Sequence, residues 1–310
     1  MKNKIITIFG GSGFVGSYIV KELAKTGAYI QVVSRTPDRS TFLKIAGNVG
    51  QIYLQYVDVV DSTSISQVIE NSDVVIDLVG ILYEKSGSTF EAINKCAGVN
   101  IAKIAKKKQV KQFIYFSALN VNRAYESKYA QSKYRAEKEI QKEFSKAVII
   151  RPSLIFGPED RFFNFFANII STFHIIPLIK DGYTKFQPVY VGDIAKAIAK
   201  IVNAESDYSG KVFEFAGAES YTFRELIKFI SRTIDQKVLM VTIPNWIARF
   251  MAFFMEFLPR PILTRDQIKL LKYHNIVHKE DKLLYFSALG IKPKTVEQIV
   301  PAYLRSLKKT

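Results

Sequence analysis

Ile5-Ile6-Thr7-Ile8-Phe9-Gly10-Gly11-Ser12-Gly13-Phe14-Val15-Gly16 opens a stretch that runs to Arg35 and decides the fold. An apolar run ends at Phe9, a helical pattern covers Ser17 to Lys25, and a second apolar run, Tyr29 to Val33, ends at Ser34-Arg35. Strand, glycine turn, helix and strand in that order make a βαβ unit. Gly10, Gly13 and Gly16 are spaced three apart. That spacing lets the chain turn sharply, lets a pyrophosphate approach the backbone N–H groups of residues 10–16, and lets the helix pack close to the sheet. Placed between a strand and a helix, the triplet marks a dinucleotide turn to which Gly11, Ser12, Phe14 and Val15 also contribute.

Working outward, strand and helix patterns keep alternating. Strands are expected at Gln51–Val57, Asp73–Val79, Gln112–Ser117 and Ala147–Ile150, and helices at Ser62–Glu70, Phe90–Lys107 and Lys128–Phe144. Near-continuously apolar strands separated by helices imply a parallel sheet covered on both faces. The fold class is therefore α/β, a doubly wound parallel sheet. Ligands bind such sheets beyond the carboxyl ends of the strands, here Gly10–Gly13, Ser34-Arg35, Asp58-Val59, Leu78-Val79-Gly80, Ser117 and Pro152-Ser153-Leu154. After Arg151 the pattern changes to an aromatic helix at Phe162–Phe173, a strand near Phe186–Tyr190, a helix at Asp193–Val202 and a strand at Val212–Phe215. Thr222–Thr233 reads as a helix capped by Thr222, Val238–Ile243 as a strand, and Pro244–Thr310 as mainly helical. The division expected is a dinucleotide-binding domain over 1–150, with 183–217 returning to its sheet. Residues 151–182 and 218–310 then form a smaller lobe facing a substrate or a partner.

The single cysteine, Cys96, allows no internal disulfide and fits a reducing compartment; its helix position reads as packing. The opening apolar run is too short for a signal peptide, so a cytoplasmic, non-secreted protein is expected. Lys and Arg exceed Asp and Glu by 44 to 28, a formal charge of +16, which attracts anionic cofactors, proteins or membrane surfaces. The basic residues are scattered without the aromatic signature of a nucleic-acid module, so no nucleic acid is expected as partner.

The end of the second strand selects the nucleotide. An acid there binds the adenosine ribose hydroxyls of NAD, whereas a base accommodates the 2′-phosphate of NADP. Here Ser34 stands in the acid's place, followed by Arg35 and, further on, Arg39. The planar guanidinium matches phosphate geometry, so NADP(H) is favoured; Asp38 is within reach of a ribose and keeps NAD(H) open.

These residues resemble the extended and atypical short-chain dehydrogenase/reductase superfamily, of the NAD-dependent epimerase/dehydratase type. The resemblance includes Asp58, Leu78-Val79-Gly80, Asn94, Phe116-Ser117-Ala118, Tyr129 with Lys133, Arg151 to Gly157, and Val191-Gly192-Asp193. Within it, Val148 to Phe163 and Gln187-Pro188-Val189-Tyr190-Val191 are most similar to the nucleotide-binding accessory subunits of respiratory complex I and their bacterial relatives. That resemblance implies a Rossmann-type fold, a tightly held NADPH and a largely structural role in the respiratory chain. Tyr129 and Lys133, four apart on a helix, share a face; an ammonium there lowers the phenol pKa and readies it for proton transfer, with Ser117 bonding a carbonyl. The alternative is thus an active NAD(P)-dependent reductase, epimerase or dehydratase, one version acting in quinone biosynthesis, on a substrate the sequence does not name. Tyr134 and Lys138 repeat the spacing, but Tyr129-Ala130-Gln131-Ser132-Lys133 carries the serine usual before the lysine.

His274 and His278 have helical metal-ligand spacing but no matching third ligand, and no metal is assigned. The segment Trp246–Leu258 is aromatic over most of a helix, with Asn245, Arg249 and Glu256 on a narrow polar stripe. Its roughly 22 Å falls short of the ~30 Å hydrocarbon core, so no transmembrane span is expected. Burial in the second lobe is the default; docking on complex I or an anionic membrane surface at its inner face is the other outcome.

Overall fold

The computed structural model describes residues 1, 3–204, 207–259 and 261–305. The first half runs β1 (Ile5–Phe9), α1 (Phe14–Ala24), β2 (Tyr29–Ser34), β3 (Ile52–Tyr56), α2 (Ser62–Val68), β4 (Val74–Asp77), α3 (Gly98–Lys107), β5 (Gln112–Phe116), α4 (Lys128–Glu143) and β6 (Val148–Pro152). It continues with β7 (Ile155–Phe156), α5 (Phe162–Phe173), β8 (Ile175–Ile179), β9 (Lys185–Phe186), β10 (Val189–Tyr190), α6 (Val191–Asn203) and β11 (Val212–Phe215). The rest comprises β12 (Tyr221–Thr222), α7 (Phe223–Ile234), β13 (Leu239–Ile243), α8 (Asn245–Met255), α9 (Arg265–Leu270) and α10 (Val296–Leu304).

Seven strands form one parallel sheet in the order β11-β6-β5-β4-β1-β2-β3. The strand period of two sends alternate residues to opposite faces. Ile6, Ile8, Val74, Ile76, Ile114, Val148 and Ile150 join the core beneath α1 and α6. Phe9, Val75, Phe113, Tyr115 and Ile149 join the core beneath α2, α3 and α4. The order reverses between β1 and β4, which places the ligand crevice at the carboxyl end of β1.

The long helix expected at Phe90–Lys107 is present with one irregularity: Phe90–Ala97 has π spacing before α3 begins at Gly98. A Cβ at Gly98 would stand 3.0 Å from Tyr115 and 3.1 Å from the Asp77 carboxylate, so glycine lets this helix lie against the sheet. In the stretch 183–217, β11 pairs with β6 in the main sheet. The strand expected at Phe186–Tyr190 is instead broken: β9 pairs antiparallel with β12, and β10 pairs with β7. Gln187 and Pro188 intervene, and proline offers no N–H to a ladder.

A third core, around Phe156, Phe163, Ile170, Leu226, Ile230 and Val300, joins α5, α7 and α10. Thr222 caps α7 as expected, in a reciprocal pair with Glu225. The expected helical character of Pro244–Thr310 holds for α8, α9 and α10 but not for 271–285, an irregular strap along the sheet domain; residues 260 and 306–310 lie outside the described residues. His274 and His278 sit on this strap and not on a helix. His274 accepts the Lys185 N–H.

The aromatic helix corrects its default reading. α8 buries Ala248 and Ala252 against Ile268, Ile179, Ile243 and Leu263. It leaves Trp246 (71% exposed), Phe250 (62%), Phe253, Phe254 and, just past its end, Phe257 (74%) outward. Those positions fall on one face at 100° per residue. Among the described residues no helix is long and apolar enough to cross a membrane.

Candidate dinucleotide site

The crevice is built from strand ends. Gly10 adopts φ +75°, a left-handed conformation that glycine takes at little cost, and its N–H donates to Val33 O at 3.0 Å. The Gly13 N–H then donates to Gly10 O. A Cβ at Gly16 would stand 2.5 Å from Gly10 O and 2.6 Å from Gly11 Cα, so only glycine permits this contact of helix and turn. Gly13 is the N-cap of α1 and supplies no side chain to the first turn, leaving N–H groups free for an anion. This cradle fits a pyrophosphate.

At the end of β2, Ser34 Oγ accepts the Thr36 N–H, and Arg35 and Arg39 are exposed, with no carboxylate on either among the described residues. Asp58, after β3, turns the chain by accepting the Val60 N–H. Beside it a hollow of about 410 Å³ is lined by Val59, Val60, Ala92, Cys96, Ala97 and Asn100. Cys96 is exposed, which corrects the packing expectation.

After β4, Leu78 and Val79 are half-buried and Gly80 exposed. Lys133, buried on α4, donates to Val79 O at 3.1 Å and Phe116 O at 3.0 Å, bracing the ends of β4 and β5. A Cβ at Gly80 would lie 3.1 Å from that ammonium, so glycine keeps its approach open. Asn94 receives the Ile81 N–H and donates to Ile81 O, which fixes the loop beyond Gly80.

Tyr129 is half-buried, its ring edge-on to Phe90 at 5.9 Å. Here the expected electrostatics are reversed. Burial pushes the Tyr129 phenol up to about 12 instead of down. Burial also draws Lys133 down to about 8, against the pull of Asp77 and Glu137. Desolvation alone sets the phenol's shift, while the ammonium is turned to the backbone carbonyls of Val79 and Phe116. Ser117 Oγ is buried without a hydrogen-bond partner among the described residues. Tyr134 packs with Val121, Ala124 and Leu270, apart from the Lys133 environment.

Two contributors escape local sequence reading. Asn275, on the strap, accepts from Ser153 Oγ at 2.6 Å and Leu154 N–H at 3.1 Å, while Pro152 is buried at the end of β6. No periodicity marks Asn275; its role depends on contacts more than a hundred residues away. Asp77, the last residue of β4, is fully buried; its Oδ1 accepts the Val79 N–H and its Oδ2 has no hydrogen-bond partner among the described residues. A carboxylate closing an otherwise apolar strand was the available signal.

The geometry defines a class before it defines a relative. The chain belongs to the NAD dependent epimerase/dehydratase family, whose model matches residues 6–216. It is 32% identical over 316 residues to NADH dehydrogenase (ubiquinone) 1 alpha subcomplex subunit 9, mitochondrial, of Arabidopsis thaliana, covering 98% of this chain and 78% of that protein. The Rattus norvegicus protein of the same name is 32% identical over 296 residues, covering 94% and 78%. Among solved structures, the Bordetella bronchiseptica enzyme WbmH in complex with NAD+ superposes with a TM-score of 0.72 at 16% identity, covering 99% of this chain and 100% of that one. At that identity the likeness shows the fold alone.

Proposed function

We propose that this chain holds NADP(H) as an accessory component of a respiratory NADH:ubiquinone oxidoreductase, binding the nucleotide without turning it over. The observation that carries the reading is a complete cradle beside an unprepared proton-transfer pair. Gly16 is fitted against Gly10, while burial pushes the Tyr129 phenol up to about 12 and no neighbouring charge draws it back. In this reading the backbone of 10–16 takes the pyrophosphate. Ser34, Arg35 and Arg39 take the 2′-phosphate, supported by the exposed guanidinium groups and the absent acid. Asp58 and Val59 border the adenine, Leu78–Gly80 and Lys133 meet the nicotinamide ribose, and Pro152–Leu154 back the nicotinamide.

The main sheet with α6 and β11 forms the nucleotide domain, and α5, α7, α8 and α10 belong to the docking lobe. The outward aromatic face of α8 and the formal charge of +16 support a peripheral seat on the cytoplasmic face of an anionic membrane, beside the respiratory enzyme. Ser117 Oγ, buried without a partner, favours the second reading, a working reductase or epimerase whose substrate carbonyl meets that hydroxyl.

Extraction of native membranes with mild detergent separates the two. Co-purification with the oxidoreductase, with retained NADPH and indifference to Tyr129→Phe, is the expected result. A chain found only in the soluble fraction, with turnover abolished by Tyr129→Phe, would overturn it. Arg35→Ala should weaken NADP(H) about tenfold or more, the scale of a charge-assisted phosphate contact, and leave NAD(H) unchanged by isothermal titration. An equal loss for both nucleotides would remove the 2′-phosphate assignment.

A further inference from the structure

The ammonium of Lys133 lies between the ends of two strands, and every ionisable group packed around it can be named. Tyr115, from β5, places its ring 4.8 Å beneath the ammonium and donates its hydroxyl to Asn94 O. Tyr129 and Glu137 come from α4 itself. Glu137 is already engaged by Arg151, through two bonds of 2.9 and 2.7 Å, and Arg151 also reaches Glu214 at 3.4 Å. Asp77, from β4, is different. It is fully buried, it has no ion pair among the described residues, and its Oδ2 is left without a hydrogen bond. Burying an uncompensated carboxylate is costly for folding. A neutral residue would fill the same place beneath Gly98 more cheaply.

We propose that Asp77 is a positioning residue, a buried counter-charge that keeps the Lys133 ammonium charged and held at the ends of β4 and β5, where the crevice takes the nucleotide. The inference rests on the nucleotide reading above. Val79 links the two groups: its N–H is held by Asp77 Oδ1 and its carbonyl by Lys133. One peptide segment thus carries both the acid's orientation and the lysine's. The field runs the same way, since Asp77 is the largest influence raising the Lys133 pKa, ahead of Glu137. Lys133 in turn lowers that of Asp77, against the burial that lifts it to about 6.

A purely structural acid and a positioning acid make opposite predictions for Asp77→Asn. Because the folded-state pKa of Asp77 is raised, its burial favours the protonated form, and the unfavourable charged form dominates as pH rises through about 6. The amide removes that charge. Melting of the nucleotide-free chain should therefore rise in temperature above pH 6 and stay unchanged near pH 4.

NADPH binding should move the other way. In the unaltered chain, affinity falls as pH rises through about 8, where Lys133 loses its proton. In Asp77→Asn that fall should come at lower pH, weakening binding at pH 8 about fivefold for the first unit the lysine moves and about tenfold for each unit beyond it. Binding at pH 6 should match the unaltered chain. Lys133→Met should abolish the fall, and adding Asp77→Asn to it should change nothing further. NADPH fluorescence titrated from pH 6 to 9, with melting of the nucleotide-free chain, reads all of this. A pH profile unmoved by Asp77→Asn, or an equal loss on the Lys133→Met background, would overturn the inference alone. Failure of the unaltered chain to bind NADPH or NADH would overturn it together with the nucleotide reading.

Discussion

Two helices of similar aromatic content meet opposite fates. α5, Phe-Phe-Asn-Phe-Phe-Ala-Asn-Ile-Ile-Ser-Thr-Phe, turns Phe163, Ala167 and Ile170 into a core shared with α7 and α10. α8, Asn-Trp-Ile-Ala-Arg-Phe-Met-Ala-Phe-Phe-Met, turns Ala248 and Ala252 to the body of the protein and its rings to solvent. The difference lies in which residues occupy the i, i+4 positions facing neighbours. In α5, Phe162 and Phe166 meet Phe223 at 6.1 and 5.1 Å, and Phe156 meets Phe163 at 5.7 Å. In α8 the rings meet mainly one another, at 4.9 to 5.4 Å, with Arg265 over Phe253. Hydrophobicity tells that a helix is to be kept from water; the spacing of its small residues tells from which side. The rings of α8 retain exposed apolar area, whose burial would be worth roughly 25 cal/mol per Å².

Substitutions graded by burial would break or sharpen this contrast. Phe163→Ala should cost about 3–5 kcal/mol in urea unfolding, from lost transfer energy and the cavity left behind. A loss below about 1 kcal/mol would deny the third core its anchor. Phe250→Ser with Phe254→Ser should alter stability by no more than about 0.5 kcal/mol per site, as exposed substitutions do. The same pair should release the chain from membranes or from the respiratory enzyme in a sedimentation assay. Unfolding by this pair would show α8 to be core after all, and unchanged sedimentation would show its rings to be idle.

The sheet was legible because its signals are local and repeated: apolar runs, capping residues, and helices of ordinary length between them. The glycine turn was legible for the same reason, since each of Gly10, Gly13 and Gly16 answers a steric demand set by near neighbours in sequence. What was not legible depends on placement in space. Tyr129 and Lys133 share a helix face as their spacing requires, yet the lysine's bonds to Val79 and Phe116 depend on where two strand ends fall. Burial then reversed the phenol's expected shift. The orientation of α8 was hidden because a helix apolar on most sides carries little phase information. Asn275 was hidden because its strap has neither helical nor strand period.

That strap also has a kinetic consequence. Its anchoring bonds join Asn120 to His274 and Ile276, across 154 and 156 residues, and Ser153 and Leu154 to Asn275, across 122 and 121. Contacts between residues so far apart in the chain repay their loop-closure entropy late, after the surfaces they bridge already exist. Residue 275 follows every strand of the parallel sheet in the chain, so the end of β6 gains these bonds only once the strap has been made. The crevice is therefore completed from the far end of the chain, and an interrupted polypeptide carries the phosphate cradle without the clasp that closes the opposite side.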